Sequence, residues 1–274
     1  MFSFLNKPQI EEEKRMIRRP KRYPSDMSNK EWKIIKTLLP PKADNQQNSL
    51  RQIVDALFYV DKTGCQWRFL PDKYPPWSSV YYHFAKWSKE GVLEAINTTL
   101  CKADRTKRGR QESPTGALID SQSVKTAKEA QAVGIDGGKK VKGHKRHSLT
   151  DTVGNMLNVV VTAANVSDIA GGKLLIAKIM EDFPTIAKIW ADGTYRGGFI
   201  DWVHEKIEAV LEIVKRDEGE KGFKVLPKRW VVERTFAWLG NYRRLSKDYE
   251  RLTRNSEGMI YLASIKTMLQ RLAT

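Results

Sequence analysis

Five acids in this chain stand where a carboxylate could do chemistry: Asp120, Asp151, Asp168, Asp192 and Glu233. Asp120 closes the apolar run Ala117-Leu118-Ile119, and Asp192 closes Ile189-Trp190-Ala191 just before Gly193. Both sit where a buried strand leaves the core, which is where open α/β sheets bind ligands. Glu233 lies between Val231-Val232 and Phe236, beside an apolar helix face. Carboxylates gathered at one point repel one another unless a cation neutralises them. Oxygen-only ligands without a nearby cysteine suit Mg2+ or Mn2+. Two such ions about 3.5–4 Å apart activate a water or hydroxyl and stabilise the leaving oxygen of a phosphodiester. Each acid also has an ordinary reading. A strand-end Asp caps a turn. Asp151 precedes a hairpin turn, and Asp168, after Asn165-Val166-Ser167, suits a helix N-cap. Glu233 can pair with Arg229 one helical turn earlier. Spacing alone does not choose among the five.

The elements that must position these acids follow from hydrophobic periodicity. Ala117–Asp120 reads as the end of a buried strand. His147–Thr152 and Met156–Ala163 read as two strands joined by a Val153-Gly154-Asn155 turn. Ile169–Phe183 reads as a helix stopped by Pro184, Ile186–Ala191 as a strand, Phe199–Ile207 as a helix, Val210–Val214 as a strand, and Lys228 to Arg244 as a long helix. This order, β, ββ, α, β, α, β, α, describes an α/β domain with a mixed sheet. Residues 23–101 read as helical. Met27–Leu39 follows Ser25-Asp26 as N-cap and ends at Pro40-Pro41. Ile53, Val54, Leu57, Phe58 and Val60 recur at helical spacing, as do Val80, Phe84, Trp87, Val92, Leu93 and Ile96. Such a bundle suits a helix-turn-helix module or a plain helical domain. Residues 102–116 are charged and read as a linker, and residues 1–22 as a loose extension.

The formal net charge is +16 over 274 residues, with 41% hydrophobic and 29% charged residues. The composition is that of a folded chain, and the charge calls for an anionic partner. The longest apolar stretch, Met156–Val166, is interrupted by Asn158, Thr162 and Asn165 and is too short to span a bilayer. The acidic run near the N-terminus is unlike a secretory signal. Only Cys65 and Cys101 are present, which excludes a disulfide framework or a cysteine-rich zinc site. Nucleic acid is the partner that remains.

Lys139, Lys140, Lys142, Lys145 and Arg146 crowd one glycine-bearing stretch with His144 and His147. It reads as a loop that contacts phosphates, each contact adding about one unit to the salt dependence of binding. Gly138 to Gly143 has P-loop spacing, but His144 stands where lysine is required, so no nucleotide cofactor is expected. The two histidines lack a third ligand for a metal site. Arg229, Arg234, Arg243, Arg244 and Lys247 make the last helix and its tail basic, which also complements a helix C-terminus. Trp238 is a core residue by default and a stacking platform for a base otherwise.

With these segments in view, the chain resembles insertion-sequence transposases of the DDE class, in particular the insertion-sequence-five group. The resemblance rests on Leu118-Ile119-Asp120-Ser121-Gln122-Ser123-Val124, Gly138 to His147, and Thr162-Ala163-Ala164-Asn165-Val166-Ser167-Asp168. It continues in Ala191-Asp192-Gly193-Thr194-Tyr195-Arg196-Gly197 and in Arg229-Trp230-Val231-Val232-Glu233-Arg234-Thr235-Phe236-Ala237-Trp238-Leu239, in that order across residues 115–270. Residues 23–100, with Trp32, Trp67-Arg68 and Trp77, look like the helical domain that precedes the catalytic one.

The resemblance implies an RNase H-like catalytic domain over 117–274, with Asp120, Asp192 and Glu233 as the catalytic, metal-holding acids. It implies two Mg2+ ions, with Mn2+ as substitute. It also implies cleavage of double-stranded DNA at terminal inverted repeats and attack of the freed 3′ hydroxyl on target DNA. A homodimer or higher assembly on DNA and a cytoplasmic, nucleoid-associated location go with it. Lys139, Lys140, Lys142, Lys145, Arg146, His147, Arg229, Arg234, Arg243 and Arg244 are the expected DNA contacts. The chain departs from the Tyr-Arg-Glu-Lys pattern of related families. Leu226 stands at the tyrosine position and Gly240 at the lysine position, and Arg243, Arg244 or Lys247 are the substitutes for that cation. The rival readings are a catalytically inactive DNA-binding regulator, an RNase H-fold nuclease without strand transfer, and an RNA-binding protein, which would prefer single strands.

Overall fold

The computed structural model describes residues 23–41, 48–214 and 229–274. The expected extension 1–22, Leu226 and Lys228 lie outside the described residues. Four helices come first: α1 (Asn29–Ile35), α2 (Leu50–Thr63), α3 (Trp77–Lys89) and α4 (Val92–Lys107). The cap of α1 is Ser28 rather than Ser25-Asp26. The Ser28 hydroxyl accepts from Glu31 N, and the Glu31 carboxylate accepts from Ser28 N at 2.6 Å, so two orphan amides of the first turn are satisfied together. Asp26 instead accepts from Lys73 Nζ at 2.5 Å and from the Tyr74 hydroxyl at 2.6 Å. Helix α4 runs on to Lys107, through the first part of the segment expected to be a linker.

Six strands form one mixed sheet: β1 (Gly116–Lys125), β2 (Gly134–Asp136), β3 (Val141–Asp151), β4 (Met156–Ala163), β5 (Lys188–Ala191) and β6 (Val210–Ile213). Strand β1 is antiparallel to β3 and parallel to β5, and β6 follows β5 in parallel. Along the other edge of β3, β2 covers Val141–Gly143 and β4 covers His144–Thr150. Two differences from the sequence reading matter here. Strand β1 continues past Asp120 to Lys125, and the stretch read as a basic loop is a strand from Val141 onward.

Helices α5 (Asp168–Asp182), α6 (Gly198–Ile207) and α7 (Arg229–Gly240) follow the sheet order. Successive side chains of a strand point to opposite faces, and β1 uses both. A Cβ on Gly172 of α5 would lie 3.2 Å from Ile119 Cδ1, so Ile119 faces α5. Leu118 packs with Trp190, Val231 and Val232, so it faces α7. Burying each of these apolar side chains contributes roughly 1.5–3 kcal/mol, and the cluster fixes the start of α7 on the sheet.

Helix α8 (Thr253–Ala273) was not foreseen as a separate element. It is buried on nearly every side, from Asn255 to Leu269, and so carries no amphipathic stripe. It packs against α1, α2, α3, α4 and β4. The helical region and the sheet therefore share one continuous core. Buried Lys266 reaches Glu31 Oε1 at 2.6 Å, and Asn97 Nδ2 donates to Met156 O at 2.7 Å, tying the first helices to both α8 and β4.

Candidate active site

Leu118 of β1 is paired with Trp190 of β5. Two residues further along each chain stand Asp120 and Asp192, on the face of the sheet that Leu118 and Trp190 share. Neighbouring strands run about 4.8 Å apart, so the register brings Asp120, inside β1, and Asp192, just past the end of β5, to neighbouring positions of the sheet. Each is oriented by its own backbone. Ser121 N donates to Asp120 Oδ1 at 2.7 Å, and Thr194 N donates to Asp192 Oδ1 at 2.9 Å, with the Thr194 hydroxyl donating to the same oxygen. Both acids are half-buried. A pair of hard carboxylates in this position fits a divalent cation with oxygen ligands.

Tyr195 lies beneath this pair, its ring fully buried against Phe199. Its hydroxyl has no hydrogen-bond partner. Burial first, then the charges of Asp168, Asp120 and Asp192, push its pKa up. Sequence reasoning passed over Tyr195, although the turn Asp192-Gly193-Thr194-Tyr195 carries it one step from the second acid.

Glu233 is not brought into the pair. Helix α7 turns Val231, Val232, Thr235 and Leu239 inward and leaves Glu233, Ala237 and Gly240 exposed. Among the described residues, no group of three His, Cys, Asp or Glu side chains is arranged to hold a metal ion. Asp120 and Asp192 lie on neighbouring strands, and Glu233 lies on the exposed side of α7.

The rival acids find other roles. Asp151 is buried, takes Arg105 Nη1 at 2.7 Å, and accepts from Val153 N and Asn155 N across the hairpin turn. It is a turn cap with an internal counter-ion. Asp168 is not the cap of α5. Ser167 is, its hydroxyl accepting from Ala170 N at 3.1 Å. Asp168 instead accepts from the Ser121 hydroxyl at 2.7 Å and lies 3.2 Å from Lys145 Nζ. Burial raises its pKa, but the Ser121 and Lys145 hydrogen bonds and the Lys145 and Lys139 charges outweigh it and leave the pKa lowered.

The basic stretch divides in two. Lys139, Lys140 and Lys142 are exposed. Lys145, Arg146 and His147 are buried, contrary to the expectation of a solvated phosphate-binding loop. Central strand β3 turns them alternately to the two faces, where partners hold them. Lys145 lies 3.5 Å from Asp136, and Arg146 Nη1 donates to Leu245 O at 2.9 Å. His147 packs against Gly171 and Thr162, and its pKa falls to about 4. Burial is the main cause, opposed by Asp168 and reinforced by Lys145 and Lys139. His144 faces the other side and meets Asp248. The two histidines do not form a metal pair.

On α7 and its tail, Arg243 is exposed, whereas Arg244 is buried and held by Glu250 Oε1 at 2.6 Å. Arg234 donates to Val153 O at 2.8 Å and lies 4.4 Å from the Trp230 ring and 4.5 Å from the Trp238 ring. Arg271 lies 4.6 Å from the Trp238 ring, so guanidinium groups already occupy the stacking surface that a base would need. Lys247 is half-buried beside Tyr249. The side chain of Arg229 lies outside the described residues.

The mixed sheet carries Asp120 in a central strand, Asp192 just past the end of its parallel neighbour and Glu233 on a flanking helix. Residues 111–266, more than half of the chain, match the family model described as the transposase DDE domain, and the chain belongs to that family. Membership implies an RNase H-like fold for this mixed sheet. Residues 27–97 match a second model, described as putative transposase of the IS4/5 family. A curated relative from Burkholderia cepacia, described as a putative transposase for insertion sequence element IS402, is 29% identical over 119 residues, covering 40% of this chain and 54% of the relative. The chain thus spans about half the length of the curated relative it matches. No solved structure matches. Among the described residues, no helix is long and apolar enough to cross a membrane.

Proposed function

We propose that this chain is a DNA transposase. It cleaves phosphodiester bonds at the terminal inverted repeats of an insertion sequence and joins the 3′ ends to target DNA. The observation that supports the reading is the pairing of Leu118 with Trp190, two residues before Asp120 and Asp192 on neighbouring strands, inside the segment matching the transposase DDE domain. Asp120 and Asp192 hold a divalent cation, Mg2+ with Mn2+ as substitute, and Glu233 is the proposed third ligand. When bound, such a cation neutralises the carboxylates and polarises the phosphodiester. The chain's own contribution is positional. Ser121 N and Thr194 N each fix one carboxylate oxygen, and Leu118, Trp190, Val231 and Val232 fix the strands and α7 relative to one another.

The helices before the sheet supply further DNA contact. Arg68 and Trp77, with exposed Tyr82 on α3, form their outward aromatic and basic side. Joining two DNA ends calls for at least a dimer on DNA. A soluble protein acting on chromosomal DNA belongs in the bacterial cytoplasm.

The test uses a labelled duplex carrying the inverted repeats that flank the gene, incubated with the full chain and Mg2+. Asp120→Asn and a chelator serve as controls. Nicking at the repeat ends that is lost in both controls is the expected result. A second reading, a regulator that binds element ends without cutting, is favoured by the exposed position of Glu233. Binding without nicking, in Mn2+ as well as Mg2+, would select it. Nicking without joining would select a nuclease of the same fold.

A further inference from the structure

Away from the acid pair, at the other end of β1, the last turn of α7 borders a groove of about 670 Å3. Lys62, Lys107, Arg108 and Arg271 line it, together with Trp238 and Tyr242. These residues come from α2, α4, α7 and α8 and the turn after α7, so no stretch of sequence reveals the cluster. Lys62 Nζ lies 4.8 Å from the Tyr242 ring and donates to Asn241 O at 2.9 Å, while Lys62 itself is exposed. Arg108 is exposed and pairs with Asp104, which Arg271 also approaches at 3.7 Å. One buried carboxylate is therefore shared by two guanidinium groups. The cations also repel one another. Burial comes first in lowering the pKa of both Arg234 and Arg271, and the charge of Arg108 lowers both further. A concave surface with more cations than internal acids is stabilised by an external anion.

The groove is also connected to the acid pair. Trp230, Arg234 and Trp238 follow one another at four-residue intervals along α7, and Arg234 lies against both rings. The ladder rises about 12 Å at 1.5 Å per residue. It begins beside Glu233 and the apolar cluster under Asp120, and it ends at the groove. A polyanion that runs along α7 meets Arg234 in the middle of this ladder and Arg271 at its groove end.

We infer that the groove lined by Lys62, Lys107, Arg108 and Arg271 binds the phosphate backbone of duplex DNA, extending the substrate track beyond the catalytic acids. This rests on the reading of the chain as a DNA transposase and adds where the flanking duplex lies. The groove reads no sequence, because its donors are long flexible cations that meet phosphates rather than base edges.

The test is a salt titration of binding between the full chain and a labelled duplex of unrelated sequence, followed by fluorescence anisotropy. Lys62→Gln with Arg108→Gln removes two exposed charges from the groove. Each lost phosphate contact lowers the slope of log affinity against log salt by about 0.9, so the slope should fall by about two and binding should weaken roughly tenfold. Lys178→Gln with Lys206→Gln removes the same charge from exposed positions elsewhere and should leave the slope near that of the unaltered chain. Lys62→Arg with Arg108→Lys preserves the charge and should retain the slope, which separates charge from folding. An unchanged slope in the groove variant, or an equal fall in both Gln pairs, overturns the inference. If the unaltered chain still nicks its repeat ends in that case, the transposase reading stands without it. If the unaltered chain neither binds nor cuts duplex, both are overturned.

Discussion

His144 Nδ1 lies 2.8 Å from Asp248 Oδ2, while its Nε2 lies 2.6 Å from the carbonyl oxygen of Gln131. Both partners accept, so both ring nitrogens must donate and the imidazole is held as a cation. Burial opposes that charge and Arg146 repels it. The two hydrogen bonds and the Asp248 carboxylate outweigh them and raise the pKa above 6.5. Asp248 also accepts from the Ser256 hydroxyl at 2.6 Å, so the contact joins β3, the segment after it in space and the start of α8. A raised histidine pKa stabilises the fold fully below the unfolded value and loses that contribution as pH rises through the folded value. Urea midpoints should therefore decline as pH rises above about 6.5, and His144→Gln should flatten that decline. His147, with its pKa near 4, acts in the opposite sense and below it, adding stability as pH rises from 4 to 6.5. Glu257, raised to about 7 mainly by burial, loses stability between 4.5 and 7. The difference between the unaltered chain and His144→Gln isolates the first effect. Parallel pH profiles for the two would refute it.

Lys145 bridges two carboxylates at 3.5 Å (Asp136) and 3.2 Å (Asp168), with only 8% of its side chain exposed. Removing one member of a buried ionic group leaves the others uncompensated, at a cost of about 3–5 kcal/mol. Lys145→Met should lower stability by about 3 kcal/mol in chemical denaturation. Asp136 has a pKa of about 2, held down first by the Ser123 hydroxyl, then by Lys139 N and Lys145. Its contribution is present above 3.8 and lost as pH falls toward 2. The acid limb due to Asp136 should therefore still begin near 3.8 but be shallower in Lys145→Met, where the folded-state pKa of Asp136 lies closer to 3.8. A change under about 1 kcal/mol would mean that the network repacks without its cation.

Much of this arrangement was legible in the chain. Strands β4, β5 and β6 and helices α5 and α6 fall within a few residues of their expected bounds, because their apolar residues bear one clear period, and Pro184 and Gly193 mark the ends of α5 and β5. The position of Asp192 just past β5 was legible for the same reason, whereas β1 runs on from Asp120 to Lys125. Val141–Arg146 was not. Its Lys145 and Arg146 side chains are buried against Asp136, Asp168 and Leu245, partners that lie elsewhere in the chain. Helix α8 escaped because it is buried on all sides. The outward turn of Glu233 escaped because Val231 and Val232 mark an apolar face without fixing how far from it a neighbour lies.

The Tyr195 hydroxyl is buried without a hydrogen-bond partner, and the charges of Asp168, Asp120 and Asp192 add to burial in raising its pKa. An unmatched buried hydroxyl costs about 1–3 kcal/mol, so replacing it with hydrogen should be neutral or favourable. Tyr195→Phe should keep or raise the melting temperature while preserving the packing against Phe199. A fall of several degrees would show that the hydroxyl has a partner worth keeping, with the Asp120–Asp192 pair as the first place to look.

Gly143 read as a flexible position in a basic loop, but its strand makes it a tight one. It pairs with Lys125 of β1 and Gly134 of β2. A Cβ there would stand 2.0 Å from the Val124 carbonyl oxygen and 3.0 Å from Lys125 Cα, both backbone atoms that cannot swing aside. Gly143→Ala must push β1 away from β3, and overpacking of this kind costs about 1–3 kcal/mol. Gly138, in the turn before β3, is different. A Cβ there would meet only Asp136 Oδ1 at 3.6 Å, an ordinary contact. Gly138→Ala should therefore leave the denaturation midpoint within about 0.5 kcal/mol of the parent, while Gly143→Ala lowers it clearly. Because β1 also carries Asp120, the Gly143 variant should lose nicking activity along with stability. Equal midpoints for the two variants would mean that the β1–β3 register is looser than the backbone contact at Gly143 requires.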